Sequence, residues 1–216
     1  MRYAIGDIHG CARTFRALLK KINLREGDEL YLLGDYIDRG PDSKGVLDTI
    51  LHLPGRVVAL KGNHEDLWLK AMKSGLGYKM FDYEYFQDMG MVATQRSFGD
   101  CDLDPYLRFV ETLPLWHETE DYFFVHGEIN FSLPDPFGPQ GEEYMLWGRG
   151  NAYLGEKPLV CGHTPLPLWQ ILEGLTSKKI DIDNGCCYLM KGYGHLIAYD
   201  LDKRCIYEQE NIDYHY

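Results

Sequence analysis

Apolar side chains recur along the first third of the chain in two alternating rhythms. Short runs at Arg2 to Ile5, Glu29 to Leu33 and Arg56 to Leu60 read as β-strands. Between them, Phe15, Leu18, Leu19 and Ile22 mark one helical face at i, i+3, i+4 and i+7. Val46, Leu47, Ile50 and Leu51 mark a second helix after Pro41-Asp42-Ser43, where a proline suits the first turn. A third helix begins near His64. Strands separated by single helices at this spacing predict right-handed βαβ units with parallel pairing.

The second half changes character. Residues 115–118, 122–126, 158–161 and 179–183 read as strands, with a helix around Tyr106 to Thr112 before them. Residues 195–201 and 204–209 read as a hairpin turning at Asp202-Lys203. Strand-rich sequence with short turns predicts a second, mixed or antiparallel sheet packed on the first. Residues 75–103 fit neither rhythm; their Tyr78, Met80, Phe81, Tyr83, Tyr85, Phe86, Met89 and Met91 suit helices lying over a site. No repeat, low-complexity tract or linker interrupts the chain, so residues 1–216 are expected to form a single domain.

Polar residues concentrate where predicted strands end. The first ends in Gly6-Asp7-Ile8-His9-Gly10, the second in Gly34-Asp35-Tyr36-Ile37-Asp38-Arg39-Gly40 and the third in Gly62-Asn63-His64-Glu65. Later strands end in Val125-His126-Gly127 and Cys161-Gly162-His163-Thr164. Carboxyl ends of parallel strands form the ligand crevice of α/β sheets, so five such ends can meet at one place. Asp7 and His9, two apart in extended chain, point the same way and can grip one ion. Asp35 can bridge two ions, with Asn63, His126 and His163 completing the second. Carboxylate, imidazole and amide without thiolate suit Mn²⁺, Fe or Zn²⁺. Taken singly, an Asp-x-His is an ordinary turn and a Gly-Asn-His a helix cap; the order of the five fragments carries the weight. His52, His117, His195 and His215 lack such surroundings and read as structural or exposed.

Composition narrows the function. The 216 residues are 45% hydrophobic and 25% charged, as in an ordinary globular domain. Acidic residues outnumber basic ones, 33 to 22, a formal charge of -11 that argues against general nucleic-acid binding. No apolar run approaches a bilayer's thickness, and the start of the chain lacks a signal-peptide pattern, so a cytoplasmic protein with no membrane role is expected. The six cysteines form no CxxC pair and are expected to be reduced. Adjacent Cys186 and Cys187 read as half-buried strand, with a vicinal redox pair as the alternative.

The motifs GDIHG, GDYIDRG and GNHE, followed by VHG, LWGR and GHTP at 125–127, 146–149 and 162–165, resemble those of the calcineurin-like metallophosphoesterases. The match is strongest to the phosphoprotein-phosphatase branch with its small bacterial and phage members, and spans roughly residues 3 to 185. The resemblance implies an α/β fold, a two-sheet β-sandwich flanked by helices in four layers, with a dinuclear site at the strand ends. It implies that Asp7, His9 and Asp35 hold one divalent cation and Asp35, Asn63, His126 and His163 the other, Mn²⁺ being the first expectation. His64 would be the general acid, with Asp38 hydrogen-bonded to it, and Arg39, Asn63 and Arg149 would bind phosphate oxygens. For Arg149 a structural salt bridge is the alternative. Glu128 departs from the small residues usual after this histidine and brings a carboxylate near the expected site, either supporting the ligands or pointing away from them.

Such a protein would be a metal-dependent phosphoesterase acting on a phosphorylated protein or a small phosphoester. Relatives of this type cleave phosphoserine and phosphothreonine or dinucleoside polyphosphates. The compact length and acidic surface favour a Ser/Thr protein phosphatase. A bis(5'-nucleosyl)-tetraphosphatase is the alternative, in which aromatics of 78–86 would stack a base; their other role is packing of a helical flap. A non-catalytic metal-binding scaffold is a third reading, countered by the presence of His64, Asp38, Arg39 and every ligand.

Overall fold

The computed structural model describes residues 1–82 and 84–214, the side chains of Phe81 and Asp82 excepted. Two sheets stack face to face. The first begins with three parallel strands, β1 (Arg2–Ile5), β2 (Glu29–Leu32) and β3 (Arg56–Ala59), linked by α1 (Ala12–Ile22) and α2 (Ser43–Leu51). The second runs β4 (Trp116–Glu118), β5 (Phe123–Val125), β6 (Leu159–Cys161) and β7 (Lys179–Asp181) in that order, with only β4 antiparallel to its neighbour. The C-terminal hairpin, β8 (His195–Asp200) and β9 (Cys205–Glu210), completes the first sheet in the order β3-β2-β1-β8-β9. Counting it with the second-half strands was a natural sequence expectation, but β8 pairs antiparallel with β1 across Tyr3 and Asp200.

Period-two alternation sorts the strand residues between two cores. Tyr3, Ile5, Leu30 and Leu32 face the helices, where they meet Phe15, Leu18, Val46 and Trp68. Ala4, Tyr31 and Leu33 face the other sheet, where they meet Phe124, Val160 and Ile180. Tyr31 and Phe124 stack across the sandwich, with centroids 4.1 Å apart and planes 4° from parallel. On the outer side of the second sheet, Val125, Leu159 and Cys161 pack with Met145 of α7 (Pro139–Trp147). The order helix, sheet, sheet, helix is the four-layer α/β architecture expected from the motifs.

The segment that fits neither rhythm is helical, as its side chains suit, and the helix expected around Tyr106 to Thr112 follows it. After α3 (Asn63–Lys73) come a 3-10 turn (Gly77–Asp82), α4 (Glu84–Asp88), α5 (Met91–Phe98) and α6 (Asp104–Thr112). Tyr78, Met80, Phe86 and Met89 pack on the helix-side core, Met91 is buried, and Tyr85 is 52% exposed. Most of these side chains therefore cap the core, as the flap reading expected; Tyr83 lies outside the described residues, and so does His215. Cys186 and Cys187 sit in a turn rather than a strand, because Gly185 takes φ 61° and its carbonyl accepts from Tyr188 N at 2.8 Å. Among the described residues no helix is long and apolar enough to cross a membrane.

Deleting a fully buried ring that joins the two sheets is expected to loosen the whole sandwich. Phe124→Ala should lower unfolding free energy by about 3–5 kcal/mol, and Phe124→Leu by less, in urea titrations followed by circular dichroism. A change under about 1 kcal/mol would contradict this packing.

Candidate active site

The chain bends sharply after β1, β2 and β6. Among the described residues seven non-glycine positions have positive φ, and five of them are His9, Asp35, Asp38, Arg39 and His163. Left-handed backbone disfavours a side chain, so its concentration at candidate functional positions marks strain that the surrounding sandwich must hold. Two glycines allow the close approach. A Cβ on Gly62 would lie 2.1 Å from Asp35 Oδ1, and one on Gly162 would lie 2.2 Å from Asp7 Oδ1.

Asp35 sits at the middle, buried. Its Oδ2 lies 3.5 Å from His9 Nε2 and 3.8 Å from His64 Nε2, while Oδ1 lies 3.4 Å from His126 Nε2. Oδ1 also accepts from His64 N at 3.2 Å, at the N-terminus of α3, where a negative charge is favoured. Burial would raise this carboxyl, but the surrounding imidazoles, His126 first, hold it below the usual carboxylate range.

The imidazole tautomers follow from their partners. His9 Nδ1 is 2.9 Å from Ile37 O and His126 Nδ1 is 3.0 Å from Leu33 O. Carbonyls only accept, so each Nδ1 carries the proton and each Nε2 turns a lone pair to the centre. There His126 Nε2 lies 2.9 Å from Asn63 Oδ1 and 3.0 Å from His163 Nδ1, and buried His163 Nε2 has no partner. Lone pairs facing one another at such distances, on histidines braced by backbone carbonyls, fit a cation between them. Two groups, His9–Asp35–His64 and Asp35–His126–His163, each keep their ligand atoms within 4.8 Å and share Asp35. Burial pushes His9 and His126 down and His163 down to about 3, toward the neutral form that binds metal. Asp7 is buried beside them and accepts from His163 N at 3.1 and 3.2 Å; His64, rather than Asp7, stands in the tight cluster with His9 and Asp35.

Around this centre lie the remaining predicted residues. His64 Nδ1 is 2.7 Å from Asp38 Oδ2, and Thr94 Oγ1 donates to the other carboxylate oxygen. Burial works against protonating His64, yet the Asp35 and Asp38 carboxylates raise its pKa. Arg39 reaches His9 Nε2 at 2.7 Å and His64 Nε2 at 3.2 Å. Arg149 is exposed and lines, with Arg39, Asn63, His64, Trp147 and Tyr188, a cavity of about 100 Å³ above Asp35. Glu128 points away from that cavity, into an ion pair with Lys179 and hydrogen bonds with Asn151. His52, His117 and His195 make their contacts elsewhere, with Asp48 O, the Tyr31 ring and Asn184.

Sequence reasoning passed over several residues. Thr94 lies in the segment without readable rhythm. Glu65 stood in a quoted motif without a role; its buried carboxylate accepts from Asp35 N and Tyr36 N at 2.8 Å, Gly62 N at 2.9 Å and Ile37 N at 3.3 Å. It thereby holds the bend that carries Asp35. Asp183 follows β7 in an Asp-x-Asp pattern that repeats the strand-end signal, and burial pushes it up to about 7.

Converging strand ends, a shared buried carboxylate and inward lone pairs define a dinuclear metallohydrolase. A profile of the calcineurin-like phosphoesterases matches residues 3–214, and the chain belongs to that family of dinuclear metal hydrolases. It is 46% identical over 134 residues to a symmetrical bis(5'-nucleosyl)-tetraphosphatase of Nitrosomonas europaea, covering 61% of this chain and 46% of the relative. To the asymmetrical bis(5'-nucleosyl)-tetraphosphatase PrpE of Anoxybacillus flavithermus it is 25% identical over 222 residues, 85% of each chain. The matched part thus spans about half the length of the symmetrical relative. Its fold is also that of a crystal structure provisionally named a diadenosine tetraphosphatase, with a TM-score of 0.71, 21% identity and coverage of 96% and 91%.

Glu65→Ala would strip four buried backbone N–H groups of their acceptor, at about 1–3 kcal/mol each before water fills the gap. The expected result is a loss of at least about 3 kcal/mol in urea unfolding, with Glu65→Gln milder. Equal stability of Glu65→Ala and the native protein would show that the bend does not depend on this carboxylate.

Proposed function

We propose that this chain hydrolyses dinucleoside polyphosphates at a dinuclear centre, as a bis(5'-nucleosyl)-tetraphosphatase. The observation that carries the reading is the identity to relatives of that name, which favours the alternative over the protein phosphatase ranked first from sequence. Compact length had argued for the phosphatase. The alignment over 85% of both chains with the asymmetrical tetraphosphatase removes that argument. Acidic overall charge had argued the same way, but Arg39 and Arg149 give the pocket its own cationic lining.

Asp7, His9, Asp35, Asn63, His126 and His163 would hold two divalent cations, Mn²⁺ foremost, with His64 close enough to the first cluster to touch its reacting groups. Bound there, such cations supply Lewis acidity and a water acidic enough to attack near neutral pH. Arg39 and Arg149 would grip phosphate oxygens, for which a planar guanidinium fork is suited. His64, its pKa raised by Asp35 and Asp38, would hold the proton that the leaving oxygen takes. Asp38, itself fixed by Thr94, would keep the His64 ring turned to that oxygen.

With Mn²⁺ present, turnover of diadenosine tetraphosphate should exceed that of a phosphothreonine peptide. Chromatography of the products distinguishes cleavage at the central anhydride, giving two ADP, from off-centre cleavage, giving ATP and AMP. His64→Asn should bind Mn²⁺ as the native protein does and lose about 10²–10⁴-fold in turnover. Faster phosphate release from the peptide would return the protein phosphatase reading, and unchanged turnover in His64→Asn would remove the acid role.

A further inference from the structure

Glu128 is a buried carboxylate outside the metal cluster, two residues after His126, and none of its bonds goes to the centre. The chain from Gly148 to Pro158 forms neither helix nor strand, and Gly150 within it takes φ 76°. Arg149 projects from this segment, exposed, into the mouth of the cavity. Among the described residues, the hydrogen bonds of residues 149–152 all end on the Glu128 carboxylate. Asn151 N donates to Oε1 at 3.2 Å and Oε2 at 3.1 Å, and Asn151 Nδ2 donates to Oε2 at 2.7 Å. Lys179 of β7 also pairs with Oε1 and neutralises the buried charge. One side chain thus ties together the turn after β5, the strand β7 and the residue two past Arg149.

We propose that Glu128 is the positioning residue of Arg149: it anchors Asn151 so that the guanidinium stands over the cavity already ordered. A flexible arginine must lose rotamer and loop freedom when it grips an anion, and an anchored one loses less. Absence of the anchor would therefore appear as weaker oxyanion binding with metal binding intact. The inference rests on the reading of Arg149 as a phosphate ligand, but not on which phosphoester is cleaved.

The test uses inorganic phosphate as probe, binding to the Mn²⁺-loaded protein in calorimetric titrations, so that it holds whatever the substrate. Arg149→Ala should weaken phosphate about tenfold or more, the size expected for one charge-assisted contact. Glu128→Ala should weaken it comparably while Mn²⁺ stoichiometry and affinity stay native. Glu128→Gln, which keeps an acceptor for Asn151, should restore most of the loss. The double variant should bind no worse than Arg149→Ala, since groups acting through one another are not additive. Should Glu128→Ala fold poorly, Asn151→Ala enters the same cycle and should give a smaller, equally non-additive loss. Multiplying effects in the double variant, unchanged phosphate affinity in Glu128→Ala, or a loss traced to weaker Mn²⁺ binding would overturn the proposal. An unaffected Arg149→Ala would overturn the reading of Arg149 and the positioning role with it, while leaving the choice of substrate untouched.

Discussion

A buried carboxylate surrounded by imidazoles is the constraint on which this structure turns. Asp35 lies within 3.8 Å of three histidine Nε2 atoms, which follow β1 and β5 and stand in the first turn of α3, and its own backbone sits in the left-handed region. A buried anion is tolerated only when paired and hydrogen-bonded. Asp35 has the His64 N–H at the start of α3, and the loop behind it is held by Glu65. Small neighbours are required as well, since a side chain at Gly62 would collide with the carboxylate itself.

The sandwich supplies the rigidity that such loops need. Strands β1, β2 and β3 of one sheet and β5 and β6 of the other all deliver their following residues to one place, and the inter-sheet core keeps the two sets in register. Five left-handed non-glycine residues at their ends would relax in a loosely packed protein. Here the stack of Tyr31 on Phe124 lies a few residues before Asp35 and His126, so a buried ring pair joins the two sheets beneath these ends. The helical segment after α3 adds a lid of core-packed side chains and, through Thr94, a support for the Asp38–His64 pair.

Much of this was legible in the sequence because it rests on local signals. Periodicity locates β1 to β3 and their helices, and the polar clusters at strand ends mark Asp7, His9, Asp35, Asn63, His64, His126 and His163. What escaped depends on contacts distant along the chain. Thr94 meets Asp38 across 56 positions and Glu128 meets Asn151 across 23, with no local pattern to announce either. The C-terminal hairpin was visible as a hairpin, but its place beside β1 is a tertiary choice. The turn at Cys186 and Cys187 was missed because the apolar pair resembles a strand, although Gly185 and Gly192 on either side were available as breaking signals. Substrate preference was ranked from length and net charge, which are properties of the whole surface, whereas specificity resides in the few residues around the pocket.

The central claim is that Asp35 joins two cation sites into one centre. Electron paramagnetic resonance of the protein titrated with Mn²⁺ addresses it directly. The native protein should take up two ions and show an exchange-coupled pair, while Asp35→Ala should bind fewer and give only the signal of isolated Mn²⁺. A coupled pair surviving in Asp35→Ala, or isolated ions alone in the native protein, would contradict the account.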